Sequence, residues 1–264
     1  MSTISVEVVT NYDKRIDRTL ESLRSQTFQD YEIIVVSNDL RVKELISGYD
    51  VQYIAAPCKN TLARRIIAHK KSKSNYALLL ESSRFLERRC LEVLSKRSDD
   101  MIIIEEHDIE KNLIAKIQNI ERHGCLDTIK QFSPQVLIAE PRYIKKEVFD
   151  QALSQIEKMD QLLVNQIQYG DLDIIYFEAY KNTHNLDVIR EPLIFHDSDA
   201  TIINLIKKYL SYGASNNILR KTPYKSVFKF SNHRRPHFGF LDTALVYSLT
   251  CIKALAFVVG SSFL

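Results

Sequence analysis

Hydroxyl, amide and carboxyl side chains collect directly after short apolar runs in this chain. Thr10 follows Ile4 to Val9, Ser37-Asn38-Asp39 follows Glu32 to Val36, and Glu81-Ser82-Ser83 follows Tyr76 to Leu80. If these runs are parallel strands, the polar residues stand at strand carboxyl ends, where open α/β sheets bind ligands. Asn38 and Asp39 carry donor and acceptor groups suited to a base or a ribose. An ordinary polar turn accounts for the same residues equally well.

The elements that must position these groups alternate between two periods. β-branched runs (the three above, Val51 to Ala55, and Met101 to Ile104) alternate with helical patterns over Arg15 to Gln26, Leu62 to Lys71 and Leu86 to Arg97. This is the βαβ pattern of a mainly parallel sheet flanked by helices. Beyond it the sequence predicts helices over Asn112 to His123, Lys145 to Ile156 and Asp160 to Gln168, with strands over Val136 to Ala139 and Asp173 to Phe177.

Charge divides the chain unevenly. Between Ala200 and Leu241 there are eight basic residues and no Asp or Glu, so the remaining 28 basic residues face 33 acidic ones. A mildly acidic body with a basic tail points to an anionic partner. Within the tail, TIINLIKKYLSYG places Ile202, Leu205, Ile206 and Tyr209 on one helical stripe, as in a basic amphipathic helix at a membrane interface or a surface helix packed on its own domain. The final apolar segment is interrupted by Asp242 and Lys253, and a lysine at mid-bilayer costs about 2.5 to 3.5 kcal/mol on insertion scales. A partly embedded or protein-docked helix is therefore expected. The tail lacks a nucleic-acid recognition motif and has few interleaved aromatics, which argues against nucleic acid. Cys58, Cys90, Cys125 and Cys251 have no ligand spacing and read as reduced packing residues. The amino terminus has no secretory pattern, which predicts a cytosolic domain.

The segment SVEVVTNYDKRIDRTLESLRSQTFQDYEIIVVSND resembles the first βαβ unit of inverting family-two glycosyltransferases of the GT-A fold, most closely in Thr19 to Leu23, Gln26-Thr27 and Glu32 to Val36. Ala63-Arg64-Arg65 is similar to that family's Ala-Arg-Asn helix, and Glu81-Ser82-Ser83 falls on its DxD loop. KMDQLLVNQIQYG resembles the segment with the Glu-Asp motif, placing Asp160 on its second position. PLIFHDSDATIINLIKKYLSYG is similar to the strand, histidine and amphipathic helix of membrane-associated members.

The resemblance implies an α/β GT-A domain, Rossmann-like, over residues 1–199, and a basic amphipathic and apolar membrane-associating region over 200–264. It implies transfer of a hexose, with inversion, from a nucleoside-diphosphate sugar to a lipid-linked acceptor such as a polyprenyl phosphate, at the cytoplasmic face of an anionic membrane. Thr10, Asn38, Asp39, Arg64 and Ser83 would hold the donor, and Asp160 would be the general base, although an Asp there is equally a helix cap. Leaving-group charge on the diphosphate calls for magnesium or manganese or for fixed positive groups. Glu81 and His196 are the expected metal ligands, with Glu81 replacing the family's acidic pair. The alternative is a GT-A binding module that holds nucleotide or a partner without turnover.

Overall fold

The computed structural model describes residues 3–58, 60–127, 132–134, 139–159, 165–167, 169–198, 201–226 and 238–262. Eight strands form one sheet in the order β3-β2-β1-β4-β7-β6-β8-β5. They are β1 (Ile4–Thr10), β2 (Tyr31–Ser37), β3 (Gln52–Ala55), β4 (Tyr76–Glu81), β5 (Arg84–Leu86), β6 (Met101–Asp108), β7 (Pro141–Lys145) and β8 (Leu186–His196). β3, β2, β1 and β4 are mutually parallel. β7 lies antiparallel between β4 and β6, and β5 closes the far edge antiparallel to β8. Every residue of β1 is buried, as expected for a central strand covered on both faces.

One face carries α1 (Ile16–Arg24), α2 (Arg41–Leu45) and α4 (Cys90–Ser95). Their Leu20, Leu23, Val42 and Leu91 join Val6, Val8, Leu78 and Leu80 in a single core. The other face carries α3 (Thr61–His69), α6 (Lys146–Glu157) and α7 (Asp171–Tyr180), whose Leu62, Phe149, Ala152 and Ile175 pack on Ala77 and Leu79. A third layer is built from α5 (Leu113–Asp127), α8 (Ile202–Leu219) and α9 (Phe240–Ser262), meeting through Ile117, Leu205, Val246 and Leu249. All four cysteines are free.

Two sequence expectations are corrected. Asp173 to Phe177, expected as a strand, lies inside α7. That helix is buried nearly all round, so its apolar residues show no 3.6-residue stripe. It starts at Gly170 (φ 85°), with Asp171 and Asp173 in the first turn where the helix dipole favours anions. The helix expected over Leu86 to Arg97 begins only at Cys90, because Arg84 to Leu86 extends and pairs with Ile194 to His196. The expected strand over Val136 to Ala139 and the helix over Asp160 to Gln168 fall largely outside the described residues.

α9 is the one described helix long and apolar enough to cross a membrane, with mean hydropathy 1.7. Its interrupting Lys253 is buried and pairs with Glu121 of α5. Phe240, Leu241, Leu255 and Val258 of the same helix stay exposed.

Candidate active site

The carboxyl ends of β1 and β4 open into a cavity of about 740 Å³. Thr10, Arg64, Glu81, Ser83 and His196 line it together, with Tyr12, Asp13, Arg15, Arg84, Glu140, Arg142, Asp171, Asp173, Lys208 and Tyr212. Asn38 and Asp39 do not line it. Asp160 lies outside the described residues.

Arg64 ties the donor side together. Asn60 caps α3 by accepting from the Ala63 amide at 3.2 Å, which starts the helix directly beneath the strand ends. One turn on, Arg64 Nη1 donates to the Thr10 carbonyl at 2.8 Å and to Asn38 Oδ1 at 3.3 Å. Asn38 thus reaches the site through Arg64. Asp39 instead accepts from the Arg41 amide and Nε at 3.0 and 2.9 Å and closes the turn into α2. The Arg41 guanidinium lies 4.0 Å from the ring centre of Tyr12, placing an aromatic face at the cavity wall. Sequence reasoning missed Tyr12, although its place two residues after β1 was a signal.

Glu81 is the centre of an ion network. It pairs with Arg65 of α3, Arg84 of β5 and Arg142 of β7. Burial raises its carboxyl, but Arg142, Arg84 and Arg65 outweigh that and take it down to about 2. Arg84 and Arg142 also pair with Glu106, which is held well below the carboxylate range against its own burial. Beside this network Ser82 Oγ donates to Asp13 at 3.0 Å, and Asp13 grips Arg15 through both oxygens.

A metal at Glu81, as the resemblance implies, would compete with these partners. Glu81 Oε1 lies on Arg65, and Oε2 on Arg84 and Arg142. His196 Nδ1 lies 2.6 Å from Asp108 Oδ1. A divalent cation at Glu81 has to displace guanidinium groups that already neutralise it, so as they stand these residues do not fit a metal ion. Among the described residues, the only group of three metal-ligating types with donor atoms mutually within 4.8 Å is Glu105, His107 and His123, which includes neither.

His196 is pushed down by burial and by Arg84, with Asp108 opposing. With Nδ1 facing the Asp108 carboxylate, a neutral imidazole leaves Nε2 as a proton acceptor. Two further carboxyls enter beside Gly170. Asp171 pairs with Arg65. Asp173 is hydrogen-bonded to Glu140, and burial plus the neighbouring carboxylate raise it well above the usual range. Burial raises Glu140 too. Two carboxyls this close share a proton. The basic helix expected at the membrane contributes Lys208 and Tyr212 to the cavity wall, and Tyr212 stacks on Tyr169 with ring centres 3.7 Å apart.

The sheet, with its helices and its strand-end cavity, is a mixed α/β fold of the GT-A glycosyltransferase type. Residues 7–102 match the family model described as Glycosyl transferase family 2. A search of curated proteins gave no match. Among solved structures, S. aureus TarS superposes with TM-score 0.54 at 12% identity, covering 98% of this chain and 55% of that one. The chain thus spans little more than half of that TarS chain. S. aureus TarS 1–349 in complex with UDP-GlcNAc superposes with TM-score 0.56 at 13% identity, covering 96% of this chain and 81% of that one.

Proposed function

We propose that this chain is a glycosyltransferase that takes a hexose from a nucleoside-diphosphate sugar and passes it, with inversion, to a lipid-linked acceptor at a membrane surface. The observation that carries the reading is the convergence of Thr10, Arg64, Glu81, Ser83 and His196 on one cavity, within a chain whose residues 7–102 match family-two glycosyl transferases. The cavity volume suits a nucleotide sugar. The similarity to TarS in complex with UDP-GlcNAc favours a uridine nucleotide as the first donor to try.

In this reading Tyr12 flanks the nucleoside and Asn38 holds Arg64 beside it, while Arg15, Arg64, Arg84, Arg142 and Lys208 supply the positive field for the departing diphosphate. Fixed guanidiniums take the part that an ion plays where two carboxylates are present. A second cavity of about 430 Å³ shares Arg15, Ser83, His196 and Lys208 with the first and adds Arg122 and Lys207. Its four cations against one carboxylate, Asp108, suit an anionic acceptor such as a polyprenyl phosphate. Such a phosphate, with a second pKa of about 6, is largely ionised at neutrality and needs little help from a base. For a hydroxyl acceptor, Asp160 is the proposed base and Asp171 the carboxylate already in the cavity.

The test is transfer from labelled nucleotide sugars to membrane lipid extract by the purified chain, with manganese or with chelator. Transfer that survives chelation supports the reading; a fall in Asp160→Asn or Asp171→Asn selects the base and a hydroxyl acceptor, and no fall in either selects an ionised phosphate acceptor. Nucleotide binding with no transfer or hydrolysis from any donor supports a binding module, a reading favoured by the neutralisation of Glu81. Retention on anionic vesicles that weakens with salt supports the membrane part, since surface attraction is screened within about 10 Å at 0.1 M.

A further inference from the structure

Glu105 and His107 lie on the opposite side of β6 from the active-site network. Successive residues of a strand point to opposite faces. Glu106 reaches Arg84 and Arg142 beneath the cavity and Asp108 holds His196. Glu105, at a register shift between Ile104 and Glu106, instead meets His123 of α5. The His107 and His123 rings lie 4.5 Å apart, centre to centre, and the three donor atoms are mutually within 4.8 Å.

The decisive detail is His107. Its Nε2 is buried and has no hydrogen-bond partner, although buried polar atoms are nearly always paired. Its other ring nitrogen is held by the backbone of Arg190. A histidine held through one ring nitrogen by the backbone, with its other nitrogen unpaired and a carboxylate and a second imidazole beside its ring, has the arrangement that metal-ligating histidines adopt. Arg190 also reaches Glu105 Oε2 at 3.4 Å and orients that carboxylate.

We propose that Glu105, His107 and His123 bind a zinc-class divalent ion that clamps α5 onto β6. Two imidazoles and one carboxylate suit zinc or cobalt over magnesium, which prefers oxygen and keeps its waters. Three protein ligands leave a fourth position for water. The clamp has a consequence for the cavity floor, because Arg122, next to His123, reaches Glu106 Oε2 at 3.2 Å and Asp108 Oδ2 at 3.4 Å. The ion thus fixes the helix that braces Asp108 and, through it, His196. This site is independent of the glycosyl-transfer reading and stands or falls without it.

The test uses the full chain stripped of metal by chelator. Cobalt should give the visible absorption of a tetrahedral nitrogen–oxygen site, and zinc should displace it at one equivalent per chain in competition with a chromophoric chelator. His107→Ala and His123→Gln should each weaken zinc by more than the roughly 10- to 100-fold lost with an outer-shell partner. Glu147→Gln, at an exposed carboxylate outside the cluster and the cavity, should leave zinc affinity unchanged. His123 is partly exposed, so its glutamine variant is the one expected to keep the fold, and the cobalt spectrum needs no variant. Absence of a stoichiometric zinc equivalent in the wild-type chain, binding that survives both histidine substitutions, or loss of binding in Glu147→Gln overturns the proposal.

Discussion

The Arg64 guanidinium donates to the Thr10 carbonyl at 2.8 Å and so fixes the start of α3 against the end of β1. The same group reaches Asn38 at the end of β2, which makes one side chain the tie between both strand ends on the donor side. Its Nε is buried without a partner. Arg64→Ala removes these charged hydrogen bonds, each worth about 1.5 to 3 kcal/mol. Nucleoside diphosphate affinity, measured by calorimetry, should fall about 10- to 100-fold, and Arg64→Lys should recover only part of it because a lysine cannot span two acceptors in a fixed fork. Unchanged affinity in Arg64→Ala would remove Arg64 from the donor site.

Glu81 gives a prediction whose sign separates two mechanisms. As a metal ligand, its loss weakens nucleotide binding. As the counter-charge of Arg65, Arg84 and Arg142, its loss frees positive field at the cavity. Glu81→Gln should therefore bind nucleoside diphosphate at least as tightly as the wild type, with or without manganese. The same substitution should lower folding stability by about 3 kcal/mol, since it leaves three buried cations beside one another with only Glu106 and Asp171 to balance them.

The pH dependence of stability follows from opposite shifts. Glu81 is held near 2 in the folded chain, against 4.5 for an ordinary glutamate. Its contribution, about 3 kcal/mol, is complete above the unfolded value and is lost as pH falls from about 4.5 toward 2. Asp173 moves the other way, because burial and Glu140 favour its protonated form. Its contribution is complete below the unfolded value and declines as pH rises through its raised folded value. Denaturant melts across pH should show the acid limb shrink in Glu81→Gln, with Glu106 and Asp108 keeping the remainder, and the decline toward higher pH flatten in Asp173→Asn.

The sequence made one half of this molecule readable and left the other obscure for physical reasons. Ile33 to Val36 of β2 and Ala77 to Leu80 of β4 are apolar on both faces, and β1, β2 and β4 end in Thr10, Ser37 and Glu81, so the strands and the polar groups at their tips declare each other. β7 holds Arg142 between buried neighbours, and only the tertiary network explains an arginine in a central strand. α7 is buried nearly all round and loses the stripe that marks a helix, which hid Asp171 and Asp173 from view. Glu81 was recognisable as the residue on the acidic-loop position. Its arginine partners come from α3, β5 and β7, and no local pattern joins them.

The carboxyl-terminal helices make a final case, because their contact is closer than ordinary side chains permit. A Cβ built on Gly213 of α8 would lie 2.1 Å from the Phe257 carbonyl oxygen, and one on Gly260 of α9 would lie 2.1 Å from the Leu210 carbonyl oxygen. Both partners are backbone, so neither rotamer change nor a shifted side chain can relieve the clash, and the helices themselves must separate. Overpacking of this kind costs about 1 to 3 kcal/mol, and the double backbone contact argues for the upper end. Gly213→Leu and Gly260→Leu should each loosen α9, seen as faster amide exchange along Phe240 to Ser262. Nucleotide binding at the strand ends should survive in Gly260→Leu, since α9 contributes no residue to the cavity. In Gly213→Leu it should weaken, because α8 carries Lys208 and Tyr212 in the cavity wall. Equal nucleotide affinity in both variants would show that α8 positions nothing the donor touches.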